Sequence, residues 1–434
     1  MIEPEIYKTW KPPLLTIAAI DATPADDPKR VQMIFNLGNT LGSRYERTGK
    51  LQDLEAAIEH TNAAIEATPG GHTARAALLN ILGMHLSSRY ERTGNLLDLQ
   101  AAIEHATVAL KATPEDHPGR AQVLNSLGIH LTKRYQQTGN TEDAQAAIEY
   151  LNAALEAAPK GHPGRASVVS NLANCSSSRY QQTGNLQDLD AAIEHQTAAV
   201  EATPGDHPTR IMKLTSLGIH FSSRYELTGN LADLEAAINH TNTALHTTSH
   251  DQLYRSEMLN NLGGWFNARY QRIGNLQDLE RAINHRSTAV EAMPEGHPAR
   301  VVGLSNLGLN LATRYKQTGN LQDLEAAIEH TKAAVEAAPA DDPNLVGRLN
   351  SLSSQLGSRY ERTGNLLDLE EAIKLAIVAV EATPEDHSDR AAQLNNLSIN
   401  LHRRHERTGA LEDLEAAIQH AETAVEATPG DHPE

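Results

Sequence analysis

Histidine is the residue type whose abundance first suggests chemistry. The chain of 434 residues carries 21 of them. Seven fall in a set that contains His72, His117 and His162, and seven more in a set that contains His60, His105 and His195. A zinc site needs three or four ligands around one ion. Members of one set stand a whole repeat apart, about two helix diameters, so they cannot share an ion. Asp116-His117-Pro118 is better read as loop and cap chemistry ahead of a helix. Cys175 is the one cysteine, which excludes an intrachain disulfide and a Cys-rich zinc site. There is no convincing nucleophile–base pair, Gly-rich phosphate loop or metal-ligand spacing. The expectation is a protein that is not an enzyme and uses no cofactor and no metal.

Two charged positions recur throughout. Arg44 and Asp53 open series that are complete in all nine copies of the repeat described below, with Arg89 and Asp98 as the next members. Arg44 shares a helix face with Leu37, Leu41 and Tyr45, so it points inward or along a groove. A pair between Arg44 and Asp53 across a turn would satisfy both charges. Helix capping by Asp53 is the alternative. No enzyme needs nine copies of one site, so the reading is structural.

The elements that position these residues follow from the period. Arg44-Tyr45 recurs through Tyr90, Tyr135, Tyr180, Tyr225, Tyr270, Tyr315 and Tyr360, and the ninth copy reads Arg404-His405. Every step is 45 residues, without insertion or deletion. Residues 30–434 are therefore nine repeats of 45, and residues 1–29 hold a partial repeat whose segment 17–24 echoes 62–69. In one repeat, Ala76, Leu79, Leu82, Leu86 and Tyr90 form a helical stripe. Gly94 is placed to stop that helix A. Asn95 is placed as the N-cap of helix B, with Asp98 as a capping-box-like partner. Helix B carries Leu96, Leu99, Ala102, Ile103, Ala109 and Leu110, and Thr113-Pro114 closes it. Small residues at Ala57, Ala64, Gly38, Gly83 and Gly128 let helix axes approach to about 8–10 Å. A lone hairpin leaves an apolar face that only its neighbours can cover. The predicted fold is all-α, a right-handed α-solenoid of stacked antiparallel helix hairpins.

Composition narrows the function. There are 37 Lys+Arg against 55 Asp+Glu, a net charge of −18, and phosphate binding needs a basic face, so nucleic acid is not an expected partner. No run of 18 apolar residues exists, and the acids and prolines of the first 15 residues do not make a signal peptide. The expectation is a cytoplasmic protein that does not use membranes.

Leu124-Asn125-Ser126-Leu127-Gly128 resembles the first-helix signature of tetratricopeptide repeats, and Ala147, Ala154 and Pro159 resemble their second-helix alanines and closing proline. Asp-His-Pro ahead of the next Leu-Asn is similar to the longer repeats of kinesin light chains and of signalling ATPases with repeat sensors. Arg-Tyr-Glu-Arg-Thr-Gly-Asn-Leu-x-Asp-Leu-Glu-Ala-Ala-Ile looks most like the repeats that accompany CHAT-type protease domains. The resemblance covers essentially the whole chain. It implies a scaffold that binds a protein or peptide, as the sensor or interaction region of a larger signalling protein. A rod that self-associates through uncapped ends, or the regulatory arm of a protease or ATPase encoded outside this segment, are the alternatives.

The resemblance also implies that helix A lines a concave face where ligands sit. One helix-A row includes Asn80, Asn125, Ser170, Thr215, Asn260, Ser305, Asn350 and Asn395. The adjacent row includes Asn171, Asn261 and Asn306. Asn side chains donate and accept, so such rows can pair with the backbone of an extended segment, or brace helices. Segment 245–270 is irregular: Ser249 replaces proline, Gln252-Leu253 replaces His-Pro, and Trp265 and Phe266 follow. Phe266 lies in a leucine row and reads as core. The row of Trp265 otherwise holds His85, His130, His220, Asn310 and Gln355, so Trp265 is expected to reach solvent beside Asn260 and Asn261 as a ligand contact.

Overall fold

The computed structural model describes residues 20, 22–24, 28–69, 73–159, 161–162, 164–247, 252–339, 341–385, 387 and 389–427. Among these the regular elements are 18 α-helices, with no strand. The chain divides into two compact units, Met1–Leu227 and Thr228–Glu434. In the first, Pro28–Thr48 packs on Leu51–Ala67, Thr73–Thr93 on Leu96–Ala112, Arg120–Thr138 on Thr141–Ala157, and Arg165–Thr183 on Leu186–Glu201, with Thr209–Thr228 running to the boundary. In the second, Leu231–Thr247 is followed by four hairpins: Gln252–Ile273 with Leu276–Ala292, Pro298–Thr318 with Leu321–Ala337, Leu345–Thr363 with Leu366–Glu381, and Arg390–Thr408 with Leu411–Glu426. Each hairpin contacts the next through its B helix. Of the partial repeat, Ile20 is buried against Leu37, Leu41 and Ala57, and most of 1–29 lies outside the described residues. Ser249 lies outside them too.

The hairpin turn follows from two residue types. Gly94 sits at φ +72°, where a side chain would be strained, and its N–H donates to the Tyr90 carbonyl at 2.7 Å, closing helix A. The Asn95 side chain then accepts from the Leu97 N–H at 3.1 Å, capping helix B. The Asp98 side chain takes no part in this cap. Its oxygens accept from Arg89 Nε at 2.8 Å and Nη2 at 2.6 Å. Arg44 and Asp53 do the same at 2.7 and 2.5 Å. The pair therefore prevails over the capping role. It is an ion pair in each of the eight repeats whose two helices lie in one unit, bidentate in seven and loosest, at 3.2 Å, between Arg179 and Asp188. The aspartates are buried, and the arginine side chains are 17% to 36% exposed. Hydrogen bonding to Asp98 holds the Arg89 guanidinium above its ordinary value, and Arg404 holds Asp413 below the usual carboxylate range. A bidentate charged pair fixes angle as well as distance, so it sets the crossing of helices A and B.

Packing uses the small residues as spacing demands. Ala57, Ala102, Ala147 and Ala192 are wholly buried. A Cβ on Gly128 would stand 2.6 Å from Leu151 Cγ, and one on Gly308 would stand 2.3 Å from Thr331 Oγ1. A second stitch joins successive repeats. Arg75 Nη1 donates to the carbonyls of Ile65 and Thr68 at 2.5 and 2.7 Å, satisfying the open end of the preceding helix B. Arg165, Arg300 and Arg390 bond the corresponding pairs of carbonyls. Leu345 breaks this series, and there Arg348 pairs with Asp342 at 2.5 Å instead.

Candidate interaction face

Helix A has one side against its own helix B, one against the neighbouring repeats and one left to solvent. Which rows fall on which side decides what a partner can touch. The row of Trp265 is buried. Trp265 is 8% exposed, His130 2%, Cys175 0%, Asn310 2%, Gln355 4% and Asn400 1%. Trp265 is thus core and not a ligand contact, contrary to the reading of its polar row. Within each unit the row is polar yet buried because it faces the preceding repeat. A Cβ on Gly42 would lie 2.6 Å from His85 Nε2, and Asn400 Nδ2 donates to Ser353 Oγ at 3.2 Å. Burial holds His130 neutral, its pKa pushed down to about 3, and His85 and His220 down to about 4. Phe266 is core as well, stacked on His285 at 5.5 Å between ring centres.

The asparagine rows split. Asn80 and Asn125 are buried, at 4% and 8% exposure. Asn171, Asn260, Asn261, Asn306 and Asn350 are half-buried, and Asn395 is exposed. Asn171 Nδ2 donates to Asn125 Oδ1 at 2.8 Å, and Asn396 Nδ2 to Asn350 Oδ1 at 2.7 Å. Each of these bonds joins successive helices A, so part of the amide capacity braces the array. Asn80 and Asn125 are too enclosed for direct contact by a partner, whereas the half-buried amides keep an accessible edge.

The row next to the small-residue stripe is the open one. Met84 is 41% exposed, Ile219 45%, Leu309 43% and Ile399 39%. Sequence reasoning missed it. Its signal was an apolar position outside both helical stripes, alternating with Asn174 and Ser354. In the first unit a groove of about 330 Å³ is lined by Ile129, Lys133, Asn171, Asn174, Ser216 and Ile219, among others. Lys133 is neutralised within it by Glu91 at 2.7 Å and also bonds Ser87. A second groove of about 330 Å³ runs from Asn80 and Met84 to His117 and Gln122. In the second unit a groove of about 200 Å³ lies among Leu309, Lys316, Asn350, Ser354 and Asn396. These surfaces offer apolar contact flanked by hydroxyls and amides.

The histidine loops serve the backbone. His117 and His162 each accept through Nδ1 from the N–H two residues on, at 3.0 Å. Asp342 stands in the same position and accepts likewise from Asn344 at 2.8 Å. Among the described residues no group of three metal-ligating side chains converges, and no helix is long and apolar enough to cross a membrane.

Comparison with known proteins gives the same architecture. Residues 390–434 match the tetratricopeptide repeat family. A search of curated proteins finds no match. Among solved structures, the chain is similar to a signal transduction ATPase with numerous domains and a tetratricopeptide repeat sensor from Pyrococcus horikoshii. That likeness has 15% identity and a TM-score of 0.56, over 92% of this chain and 53% of that one. It is also similar to the apo form of the quorum sensor NprR from B. thuringiensis, with 11% identity and a TM-score of 0.51 over 90% and 97%. A kinesin light chain with nearly identical repeats from Podospora anserina matches at 19% identity and a TM-score of 0.36, over 50% and 97%. The matched residues 390–434 are the ninth repeat, bound for bound, and the eight before it share its period and its Arg and Asp positions. Residues 390–434 are thus a tetratricopeptide repeat, and the chain as a whole has the fold of tetratricopeptide arrays with a 45-residue period.

Proposed function

We propose that the chain is a non-catalytic binding region that holds an extended segment of a partner protein on its helix-A faces, as the sensor or interaction part of a signalling protein. The groove among Ile129, Asn171, Asn174, Ser216 and Ile219 carries this reading. It combines exposed apolar side chains with amides and hydroxyls, and its one lysine is already paired. An extended peptide presents alternate side chains and unpaired backbone groups, and both kinds of surface are met there. Tetratricopeptide arrays in general are interaction scaffolds, and two that share this fold are described as sensors.

The test is selection of binders from a random peptide library, followed by Asn174→Ala and Ile219→Ala. Both residues are exposed and neither braces a neighbouring helix through a side-chain bond. Losing one hydrogen bond and one apolar contact should weaken binding about tenfold or more, with the melting temperature unchanged. Unaltered affinity in a folded double variant would reject the groove.

A further inference from the structure

Arg286 is a buried cation without an anion. It lies in Leu276–Ala292 at the position held by Thr241, Thr331 and Ala376 in other repeats of the second unit, and it is 7% exposed. Its Nη1 donates to the Asn306 carbonyl at 3.2 Å, and its Nε has no partner. No acidic side chain among the described residues pairs with it. Burial lowers its pKa to about 10, which leaves it charged at neutral pH. A buried charge is ordinarily paired or absent.

The same repeat holds the one Gly-Gly in a helix A. A Cβ on Gly263 would stand 2.5 Å from Arg286 Cγ, so the missing side chain is what lets the arginine stem pass. A Cβ on Gly264 would meet Arg286 Nη2 alone, at 3.7 Å. Position 264 belongs to the open row, whose equivalents Leu309 and Ile399 are 43% and 39% exposed. The guanidinium therefore ends beneath a gap in the solvent-facing row. Asn260 and Asn261 lie one helical turn before Gly264, on the same side, and Asn260 Oδ1 is buried without a partner. Glycine within a helix and an unpaired buried cation each destabilise the fold, and here they coincide.

We propose that the Gly263-Gly264 notch receives one carboxylate of a bound segment, with the Arg286 guanidinium as its donor and the Asn260 and Asn261 amides flanking it. This rests on the helix-A face being the binding face. The carboxylate is either a chain terminus or an Asp or Glu side chain. A planar guanidinium suits a carboxylate through two parallel hydrogen bonds.

Random heptapeptides in three arms separate the sources: a free C-terminus without internal acids, an amidated end with one internal Asp or Glu, and an amidated, acid-free form. The full chain should bind one of the first two arms at least tenfold more tightly than the third. Arg286→Met and Gly264→Leu should each remove that preference. Methionine replaces a buried cation by an apolar chain of similar length, and leucine is what the next repeat carries at Leu309, so Gly264→Leu decides the matter if Arg286→Met does not fold. Equal binding of all three arms, or a preference kept within twofold by a folded Gly264→Leu variant, would overturn the carboxylate site while leaving peptide binding intact. No binding of any arm by the unaltered chain would overturn the helix-A face and the notch together.

Discussion

Acid should loosen the first unit through three imidazoles. His85, His130 and His220 occupy one row between successive helices A, and burial lowers their pKa values to about 4, 3 and 4. Neither ring nitrogen of His130 and only one of the two on His85 is near a polar side chain that could take up a proton's charge. Lys133 lies close enough to disfavour a charge on His130 further. The unfolded chain titrates near 6.5. Because the folded values lie below that, the unfolded state binds more protons as pH falls from about 6.5 toward 4. The contribution is present in full above the unfolded value and is lost as pH drops toward the folded one. At pH 5 each histidine should cost about 2 kcal/mol relative to pH 8, roughly a 30-fold change in local opening. Amide exchange in Arg120–Thr138 and its neighbours, corrected for intrinsic rates, reads this locally. The triple variant His85→Gln, His130→Asn, His220→Asn borrows the residues that the second unit carries at Gln355, Asn310 and Asn400. It should abolish most of the acid effect. Equal loss of protection between pH 8 and pH 5 in the variant and the parent would refute the argument.

Three further outcomes follow from the packing. Arg89→Ala leaves Asp98, 5% exposed, without its partner and should cost about 3 kcal/mol in urea unfolding. Gly184→Ala should cost about 1 kcal/mol, because φ is +67° while nothing lies within 4 Å of the added carbon, so the effect is backbone strain alone. Gly128→Ala should cost about 1–3 kcal/mol through its clash with Leu151. Combined with Leu151→Ala it should cost clearly less than the sum of the two single changes, since the cavity and the added methyl share one space.

The period, the hairpin, the glycine stop and the Arg–Asp pair could be read from residues because each is a local relation within 45 positions. Gly94 and Asn95 announce a turn by backbone preference, and Arg89 stands nine residues before Asp98 whatever surrounds them. The side of helix A that meets the neighbouring repeat is different in kind. It depends on how hairpins stack, which the period does not specify. Polar side chains at His130, Asn310 and Gln355 suggested solvent, yet they are buried, and so is Trp265. The apolar Met84 and Leu309, which a hydrophobic-inside rule would bury, are exposed. Binary patterning fails here because a solenoid helix is covered on two sides at once and open on a third. The stitching arginines were missed for a related reason: Arg75 bonds backbone carbonyls, and carbonyls carry no residue identity to correlate with.

An array of near-identical hairpins invites misassembly, because any helix A could dock on the wrong predecessor while folding. The row between repeats changes at most steps, from His130 to Cys175 to His220 and from Asn310 to Gln355 to Asn400, and its surroundings change with it. Gly42 leaves room for the ring of His85, whereas Gly357 leaves room for Asn400 and Arg403. Where Gly42 stands in the first repeat the second carries Ser87, and there the equivalent ring is placed differently, with His130 Nε2 3.5 Å from where a Cβ on Gly83 would stand. Each junction thus works as a password between two neighbours. Shuffling the repeats of this chain would leave every hairpin intact and still spoil the array, so the linear order is itself a folded property.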